Sequence, residues 1–416
     1  MGIRAGSLSL RGTAAAVAML IHALFCGLPA AADQTAAATH AALSGDKHRT
    51  SFRLDLSVGV PAEIYTLANP YRVIVDLPDV EFRLPESTGQ QGSGLVSAFR
   101  YGQFAERKAR VVLDTAGPVR IEKAGMTAAP GGKGIVFTFD MVTTDPASFG
   151  VGTGAGKAAA NSEEQPPVKA TDETPRSAGK PVIMIDPGHG GIDGGAISPS
   201  NLLEKEIVLA AGKEVARQLV ATGRYDVRMT RDSDVFVSLD QRLGLSAKHG
   251  VDLFISLHAD SLPEQEGAQV VRGATVYTLS ERASDERSRR MAEKENASDL
   301  VAGINVVDGA DDDAVKGILF DLMKRETANF SADFSNALVR KLRPVKVLAR
   351  TPQRAAAFKV LKQTHAPSVL VELGYLSNTE DEKLLNTPAW RKKVAAAITA
   401  AVDAYFTKRT AGAAGP

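Results

Sequence analysis

Cysteine is nearly absent from this sequence of 416 residues, since Cys26 is the single example and lies in an apolar amino-terminal segment. Disulfide bridges and cysteine-ligated metal sites are therefore excluded beyond that segment, and any metal site would have to use histidine and carboxylate side chains. An excess of charge of one sign is also missing, because 49 Lys and Arg residues are balanced by 48 Asp and Glu residues. The net charge of +1 provides no basic field that would favour nucleic acid as a partner.

The amino-terminal apolar segment, Thr13 to Leu28, is short for a membrane span and follows two positive charges, Arg4 and Arg11. Pro29-Ala30-Ala31-Ala32 then offers a small-residue cleavage site. Residues 1–32 are therefore predicted to be an export signal that is removed after Ala32. A membrane anchor that is retained is the alternative. We expect an exported periplasmic protein without stable membrane insertion after cleavage.

Short alternating segments predict an all-β domain between residues 48 and 142. Apolar residues alternate with polar ones from Phe52 to Val58, which is the period of a half-buried strand. Further apolar runs at 71–77 and 135–139 are separated by turn signals. The pattern predicts a small β-sandwich of roughly ninety residues. No histidine or carboxylate cluster in it suggests chemistry, so a binding or targeting role is expected.

The composition changes twice after this domain. Residues 143–180 are dominated by Ala, Gly, Ser, Thr, Pro and Glu, which is typical of a flexible linker. From 181 to 408, strand and helix patterns alternate and predict an α/β domain with a mostly parallel sheet and flanking helices. A highly charged insertion at 280–325 interrupts this alternation, and residues 409–416 form a tail. The simplest interpretation of the insertion is a solvated helical excursion.

Three predicted strands of the α/β domain each lead to a side chain that could bind a metal or move a proton. These strands are 182–185, 251–257 and 368–371, and they lead to His189, His258 and Glu372. Parallel strands bring their carboxyl ends to one edge of a sheet, so the three side chains can converge there. Glu204 begins the helix that follows the glycine loop around His189, and it can fold back over that loop.

Two imidazoles and one carboxylate are a common donor set for catalytic zinc, and a further carboxylate can transfer protons between water and a leaving amine. The residues alone leave two assignments open. Glu204 can be the ligand with Glu372 as the proton carrier, or the two glutamates can exchange roles.

Four blocks occur in order along the α/β region. They are Ile185–Gly191, Glu204-Lys205, Ser256–Asp260 and Val371–Asn378. Together they resemble the signature blocks of zinc-dependent N-acetylmuramoyl-L-alanine amidases of the amidase-3 family. The resemblance implies that His189, Glu204 and His258 bind Zn²⁺ and that Glu372 is the catalytic carboxylate. It also implies peptidoglycan as substrate, cleaved at the amide between N-acetylmuramic acid and L-alanine of the stem peptide.

The all-β region is similar to the AMIN domain of exported cell-wall amidases. The similarity rests on the strand 72–77 and on the segment 96–103. It implies binding to the cell wall and localisation at the division septum. The function expected of the whole chain is peptidoglycan hydrolysis for daughter-cell separation.

The charged insertion also carries a resemblance. Residues 291–300 look like a helical element that covers the active site in amidases of cell separation. In such enzymes a carboxylate from the insertion occupies the open zinc position, and activators with degenerate LytM domains displace it. Glu295 is the first candidate for this carboxylate and Glu293 the second. The resemblance therefore implies autoinhibition and a LytM-domain activator as a partner.

Two other functions fit part of the sequence. One is a non-catalytic cell-wall-binding regulator that keeps the fold, although the presence of all four candidate site residues argues against it. The other is a different zinc hydrolase of peptidoglycan, a carboxypeptidase or a deacetylase, which would share the metal and release another product.

Overall fold

The structure, a computed structural model, describes residues 35–85, 87–150, 179–263, 267–304, 317–345, 347–363 and 365–413. The predicted export signal lies outside the described residues, as do most of the predicted linker and residues 305–316 of the predicted insertion. Among the described helices, none combines the length and the apolar character that crossing a membrane requires.

The amino-terminal part of the described chain is a β domain with two sheets. Its strands are β1 (Ala36–Gly45), β2 (Arg49–Leu56), β3 (Glu63–Leu67), β4 (Arg72–Pro78), β5 (Val80–Phe82), β6 (Val96–Ala105), β7 (Lys108–Thr115), β8 (Val119–Ala128) and β9 (Ile135–Thr143). One sheet has the order β5-β1-β2-β9-β8 and the other β3-β4-β7-β6. Alternate apolar side chains of both sheets fill the space between them, because successive side chains of a strand point to opposite faces. The predicted all-β fold of this domain is confirmed.

The β domain begins earlier than the predicted residue 48. Strand β1 pairs antiparallel with β2, from Ala38 opposite Leu56 to Gly45 opposite Thr50. Ala36 and Ala38 are fully buried in the sandwich core. The prediction missed β1 because alanine has a low strand propensity and its small side chain gives no strong apolar alternation.

The carboxyl-terminal part is an α/β domain. Its strands are β10 (Val182–Pro187), β11 (Asp226–Met229), β12 (Leu253–His258), β13 (Ala274–Leu279), β14 (Leu348–Ala356) and β15 (Ser368–Glu372). Its helices are α1 (Glu204–Ala221), α2 (Leu239–Lys248), α3 (Glu286–Asn296), α4 (Ser298–Val301), α5 (Gly317–Leu342), α6 (Thr379–Leu385) and α7 (Pro388–Ala413). The sheet order is β11-β10-β12-β15-β13-β14. The first four strands are parallel, whereas β13 runs antiparallel to β15 and parallel to β14. The predicted α/β fold with a mostly parallel sheet is confirmed.

The central strands are buried on both faces, which explains their continuous apolar runs. In β10, Ile183 and Ile185 pack beneath helices α1, α5 and α7, while Val182 and Met184 pack on the opposite side of the sheet with residues of α2 and α3. The register of β12 and β15 sets His258 beside Glu372. The sheet therefore presents these two side chains together at the carboxyl edge of its parallel strands.

Helix α3 lies in the charged insertion between β13 and β14. Its N-cap is Asp285, whose carboxylate accepts the amide hydrogen of Ser288 at 2.9 Å. Met291 and Ala292 are buried against the α/β core, and Glu295 is 5% exposed. The simplest prediction for the insertion, a solvated excursion, is therefore wrong for this helix, because one face of it is packed against the domain.

Candidate metal centre

A buried aspartate fixes the end of β10. The carboxylate of Asp186 accepts hydrogen bonds from Thr230 at 2.6 Å and from Ser256 at 2.7 Å, and it pairs with Arg242. These partners come from the end of β11, from β12 and from α2, so one carboxylate ties together three parts of the domain. Asp186 and Arg242 are both buried, and the charge of each is balanced by the other.

Two arginines hold the glycine loop that follows β10. Arg242 donates to the carbonyl of Pro187 at 2.9 Å and to that of His189 at 2.8 Å. Arg231 donates to the carbonyl of Gly188 at 2.7 Å. The loop carbonyls are thereby satisfied without regular secondary structure, as buried backbone groups require. The loop is consequently held in one shape.

Gly188 is required because the ring of His258 lies directly against it. A β-carbon at this position would lie 2.4 Å from Cε1 of that ring, far inside van der Waals contact. The absence of a side chain allows the end of β12 to approach the loop after β10. His189 and His258 are therefore close, with ring centroids 4.9 Å apart.

His189 presents one ring nitrogen to the site and uses the other for support. Its Nδ1 lies 2.9 Å from Oδ2 of Asp193, and this contact orients the imidazole. A carboxylate that holds the far nitrogen of a metal-binding histidine is a frequent arrangement around metal sites. The ring nitrogen Nε2 is therefore directed at the neighbouring glutamates.

Glu204 stands between the two imidazoles. Its Oε2 lies 3.2 Å from Nε2 of His189, and its Oε1 lies 3.3 Å from Nδ1 of His258. The amide hydrogens of Ala196 and Ala259, each at 2.8 Å, fix the carboxylate in this position. Glu204 is the first residue of α1 and is fully buried.

Glu295 reaches the same two nitrogens from helix α3. Its Oε2 lies 3.4 Å from Nε2 of His189 and 3.2 Å from Nδ1 of His258. Glu293, the second candidate for this position, is excluded by its location, since its side chain is 59% exposed and pairs with Arg289.

Several polar atoms at this point are buried without a hydrogen-bond partner. They are Nε2 of His189, Nδ1 of His258, Oε1 of Glu295 and Oε1 of Glu372. Buried polar groups are normally paired, so several unpaired nitrogen and oxygen atoms in one buried place are typical of a metal site. One ligand atom from each of His189, His258 and Glu295 lies within 4.8 Å of the others. Imidazole and carboxylate ligands without cysteine suit a divalent metal such as zinc.

Glu372 lies beside this cluster and keeps one oxygen free. Its Oε2 accepts the amide hydrogen of Asp260 at 3.0 Å, whereas Oε1 has no partner. Burial raises the pKa of Glu372 well above its usual value. The negative charges of Asp260 and Glu204 add to this rise, and His258 opposes it.

The charges of the cluster are strongly interdependent. Burial lowers the pKa of His258, but Glu295 and Glu204 outweigh burial and raise it to about 10. Burial likewise opposes the charge of His189, whose pKa is nevertheless held well above its usual value by the surrounding carboxylates. Burial raises the pKa of Glu204, but the two histidines reverse this and hold it well below the usual range.

Three supporting residues were not predicted from the sequence. Asp193 orients His189, Asp260 positions Glu372, and Lys294 of α3 pairs with Asp260. For Asp193 a signal existed, because it follows His189 by four residues in the glycine loop and a metal-binding histidine usually has a carboxylate or carbonyl partner. No feature of the sequence marks Lys294, because its pairing with Asp260 depends on how α3 packs against the domain.

Each domain matches one family of known proteins. A family model described as N-acetylmuramoyl-L-alanine amidase matches residues 183–404, and a model described as AMIN domain matches residues 44–139. The first match covers most of the α/β domain and the second most of the β domain.

Relatives match the chain over one or both domains. N-acetylmuramoyl-L-alanine amidase AmiA of Escherichia coli (strain K12) is 41% identical over 232 residues, which are 56% of this chain and 78% of the relative. N-acetylmuramoyl-L-alanine amidase AmiC of Escherichia coli O6:H1 is 30% identical over 352 residues, which are 82% of this chain and 83% of the relative. Among solved structures, N-acetylmuramoyl-L-alanine amidase AmiC2 of Nostoc punctiforme is 26% identical. It aligns with a TM-score of 0.39 over 56% of this chain and 99% of that chain.

The Asp186 network yields a stability prediction. Replacing Asp186 with Asn leaves the guanidinium of Arg242 buried without its countercharge, and we expect a loss of about 3–5 kcal/mol in the free energy of unfolding. Urea unfolding can be followed by the fluorescence of the single tryptophan, Trp390, which is buried in α7. The matched control is Asp333→Asn, whose carboxylate is 50% exposed and should cost less than about 1 kcal/mol. Equal destabilisation by the two variants would contradict the prediction.

Proposed function

The chain belongs to the N-acetylmuramoyl-L-alanine amidase family, and from this membership we propose that it hydrolyses peptidoglycan at the amide between N-acetylmuramic acid and L-alanine of the stem peptide. The observation that carries the proposal is the meeting of His189, Glu204 and His258 around unpaired nitrogen atoms, with the free oxygen of Glu372 alongside.

The donor set supports zinc held by His189, Glu204 and His258. Asp193 keeps the His189 ring in the orientation that directs Nε2 at the site, and two backbone amides hold Glu204. When bound, zinc supplies a Lewis acid that polarises the amide carbonyl and makes water more acidic.

Glu372 is the proposed proton carrier. The amide of Asp260 fixes one carboxylate oxygen, so the other can accept a proton from water and later donate it to the leaving amine. Its raised pKa suits this exchange, because a carboxyl group that is too acidic would keep no proton for the amine. The opposite assignment, with Glu372 as ligand, is disfavoured. No oxygen of Glu372 lies within 4.0 Å of a ring nitrogen of His189 or His258, whereas Glu204 contacts both rings.

The position of Glu295 supports a resting state in which its carboxylate covers the metal site. It contacts both imidazoles, and the cavity of about 10 Å³ that borders it with Gly188, His189 and His258 has room for about one water molecule. A larger groove of about 500 Å³ reaches His189 and Glu295 from the side of the β domain. A muramyl peptide in that groove would therefore lie against the carboxylate of Glu295 as well as the His189 ring.

Opening then requires a partner that binds the open form better than the closed form, because a ligand shifts an equilibrium only through such a difference. A LytM-domain activator is the proposed partner. The predicted export signal and the AMIN domain support action in the periplasm, at the division septum during daughter-cell separation. The chain would thus be secreted inactive and switched on where the activator is present.

The amidase activity can be tested directly on purified peptidoglycan. We expect stem peptides with a free L-alanine amino group, identified by mass, and we expect chelation of the metal to abolish their release. Glu372→Ala should lower turnover by about 10² to 10⁴ while zinc stays bound, since it removes the proton carrier and leaves the ligands. Loss of zinc from this variant would mean that the roles of Glu204 and Glu372 are exchanged.

The same digest separates the other functions. Release of D-alanine or acetate would identify a carboxypeptidase or a deacetylase. Wall binding without zinc and without release would identify a non-catalytic regulator.

The closed state predicts a difference between two neighbouring glutamates. Glu295→Ala should raise activity without activator on the order of tenfold, because it removes the carboxylate from the imidazoles. Glu293→Ala is the matched control on the same helix, and its exposed side chain should leave activity unchanged. Deletion of residues 283–316 should also raise activity. Autoinhibition fails if neither Glu295→Ala nor the deletion increases the rate on purified cell wall.

Zinc binding should release protons at neutral pH. In the metal-free protein the pKa of His258 is about 10 and that of His189 is also raised, so both imidazoles are protonated at pH 7. Zinc binds only the neutral imidazole, so it displaces these protons, and its apparent affinity should rise with pH up to about 10. Calorimetric titration with zinc in buffers of different ionisation enthalpy measures the released protons. A signal that is independent of the buffer at pH 7 would contradict this charge state.

A further inference from the structure

One face of the β domain is covered by the segment that carries Glu295. In β4, alternate residues face the sandwich core, whereas Arg72, Ile74 and Asp76 face the opposite way and are also buried. On that second side an apolar cluster joins the two domains. Its members are Tyr65, Leu67, Ile74, Phe104, Val112, Ile192, Phe236 and Ala302. The β domain therefore contacts both the loop after His189 and the end of α4.

The end of α4 has a defined turn. The amide of Gly303 donates to the carbonyl of Leu300 at 3.0 Å, and the amide of Ile304 donates to that of Asp299 at 2.9 Å. With Gly303 at a φ of +72°, these two bonds form the Schellman turn that commonly ends a helix. The turn supplies no donor to the carbonyls of Val301 and Ala302, which are left with no partner inside the helix.

Three arginines of the β domain donate to the carbonyls of Leu300, Val301 and Ala302. Arg72 of β4 donates to Leu300 at 2.6 Å, Arg100 of β6 donates to Val301 at 2.7 Å, and Arg110 of β7 donates to Ala302 at 2.9 Å. Three successive carbonyls at the end of α4 thus accept hydrogen bonds from three charged guanidinium groups, and hydrogen bonds with a charged donor are stronger than neutral ones. We call Arg72, Arg100 and Arg110 the arginine face.

Two members of the arginine face are held by contacts within the β domain itself. Arg100 makes two hydrogen bonds to Asp114, both at 2.8 Å. Arg110 makes two to Asp76, at 2.6 and 2.9 Å, and its guanidinium lies 3.3 Å from the centre of the Phe104 ring. Side chains that are held in this way lose little conformational freedom when they bind, so the arginine face is a prepared binding surface.

A short connection links this surface to the metal centre. Only Ala297 separates α3, which carries Glu295, from α4. Lifting α3 far enough to withdraw Glu295 from the histidines therefore pulls on the carbonyls that the arginine face holds. Asn296 also ties the segment to the α/β domain, through the amide of Lys359 and the carbonyl of Ala357.

We propose that the arginine face is a latch, by which the wall-targeting β domain holds α4 and keeps Glu295 over the metal site. This inference rests on the proposed function. Loss of the latch raises the fraction of open molecules while the chemistry is unchanged. Because Asn296 and other contacts within the α/β domain remain, the release is partial, and an activator still increases the rate.

Gly303→Ala tests the latch from the side of the insertion. A β-carbon at this position lies 2.6 Å from Cδ1 of Ile74 and 3.2 Å from Cγ2 of Val112, so the substitution crowds the buried contact between α4 and the β domain. We expect activity on purified peptidoglycan, without activator, to rise on the order of tenfold in the full chain. The matched control is Gly223→Ala, which has nearly the same φ of +70° and open space around the added carbon. It carries the same backbone strain and should leave the rate unchanged.

Arg100→Ala tests the latch from the side of the β domain and should have the same effect. Arg53→Ala is its control, because Arg53 is exposed and pairs with Asp55 on the other sheet. In a Glu295→Ala background, Gly303→Ala and Arg100→Ala should add little, since the carboxylate that the latch holds is gone. A variant that has misfolded shows no urea unfolding transition in Trp390 fluorescence. The test then rests on the other of the two latch variants.

Hydrogen exchange gives a readout that does not depend on catalysis. The amides of residues 286–304 should exchange faster in Gly303→Ala than in the parent chain, and equally in Gly223→Ala and the parent. The latch is overturned if Glu295→Ala raises the rate while Gly303→Ala changes neither the rate nor the hydrogen exchange of residues 286–304. If no variant releases stem peptides, the proposed amidase function is what fails.

Discussion

The rest of the structure depends on one electrostatic constraint, which is the burial of several acidic side chains around two imidazoles. Glu204 and Glu295 lie within 3.4 Å of ring nitrogens of His189 and His258, and all four side chains are buried. Charges in such surroundings are stable only when each has a partner, and a divalent ion is the most compact partner for this set. Three features hold the imidazoles and carboxylates at fixed distances. They are the hydrogen-bonded loop after β10, the absence of a side chain at Gly188 and the carboxylate of Asp193.

The fold class and the positions of the central site residues could be predicted from the sequence because they follow from local pattern. His258 and Glu372 end apolar runs, and parallel strands bring such ends to one edge. Their assignment as ligand or base could not be predicted from pattern, since it depends on which carboxylate contacts both rings. Strand β1 escaped prediction because its buried positions are alanines. The buried face of α3 was not expected from the simplest interpretation, a solvated helix. Its buried residues, Met291 among them, are separated by charged ones.

Strand β4 is buried on a face that its sequence pattern assigns to solvent. Its sequence alternates between apolar residues and a mixture of Arg72, Ile74 and Asp76, which is the pattern of a strand with one face in solvent. The structure buries that mixed face as well, against α4 and the loop after β10. An arginine on a strand can be buried when its partners are the carbonyls that end a helix, and those partners are 228 residues away in sequence. Only tertiary structure brings the two together.

The connection between β13 and β14 joins the two outermost strands on one side of the central sheet, next to β15. Strands β10, β12 and β15 pair directly with one another, so the register that sets His258 beside Glu372 does not depend on the length of that connection. Under the proposed autoinhibition, the packing of this connection sets how readily hydrolysis starts. The timing of the proposed cleavage and its chemistry then depend on different parts of the chain.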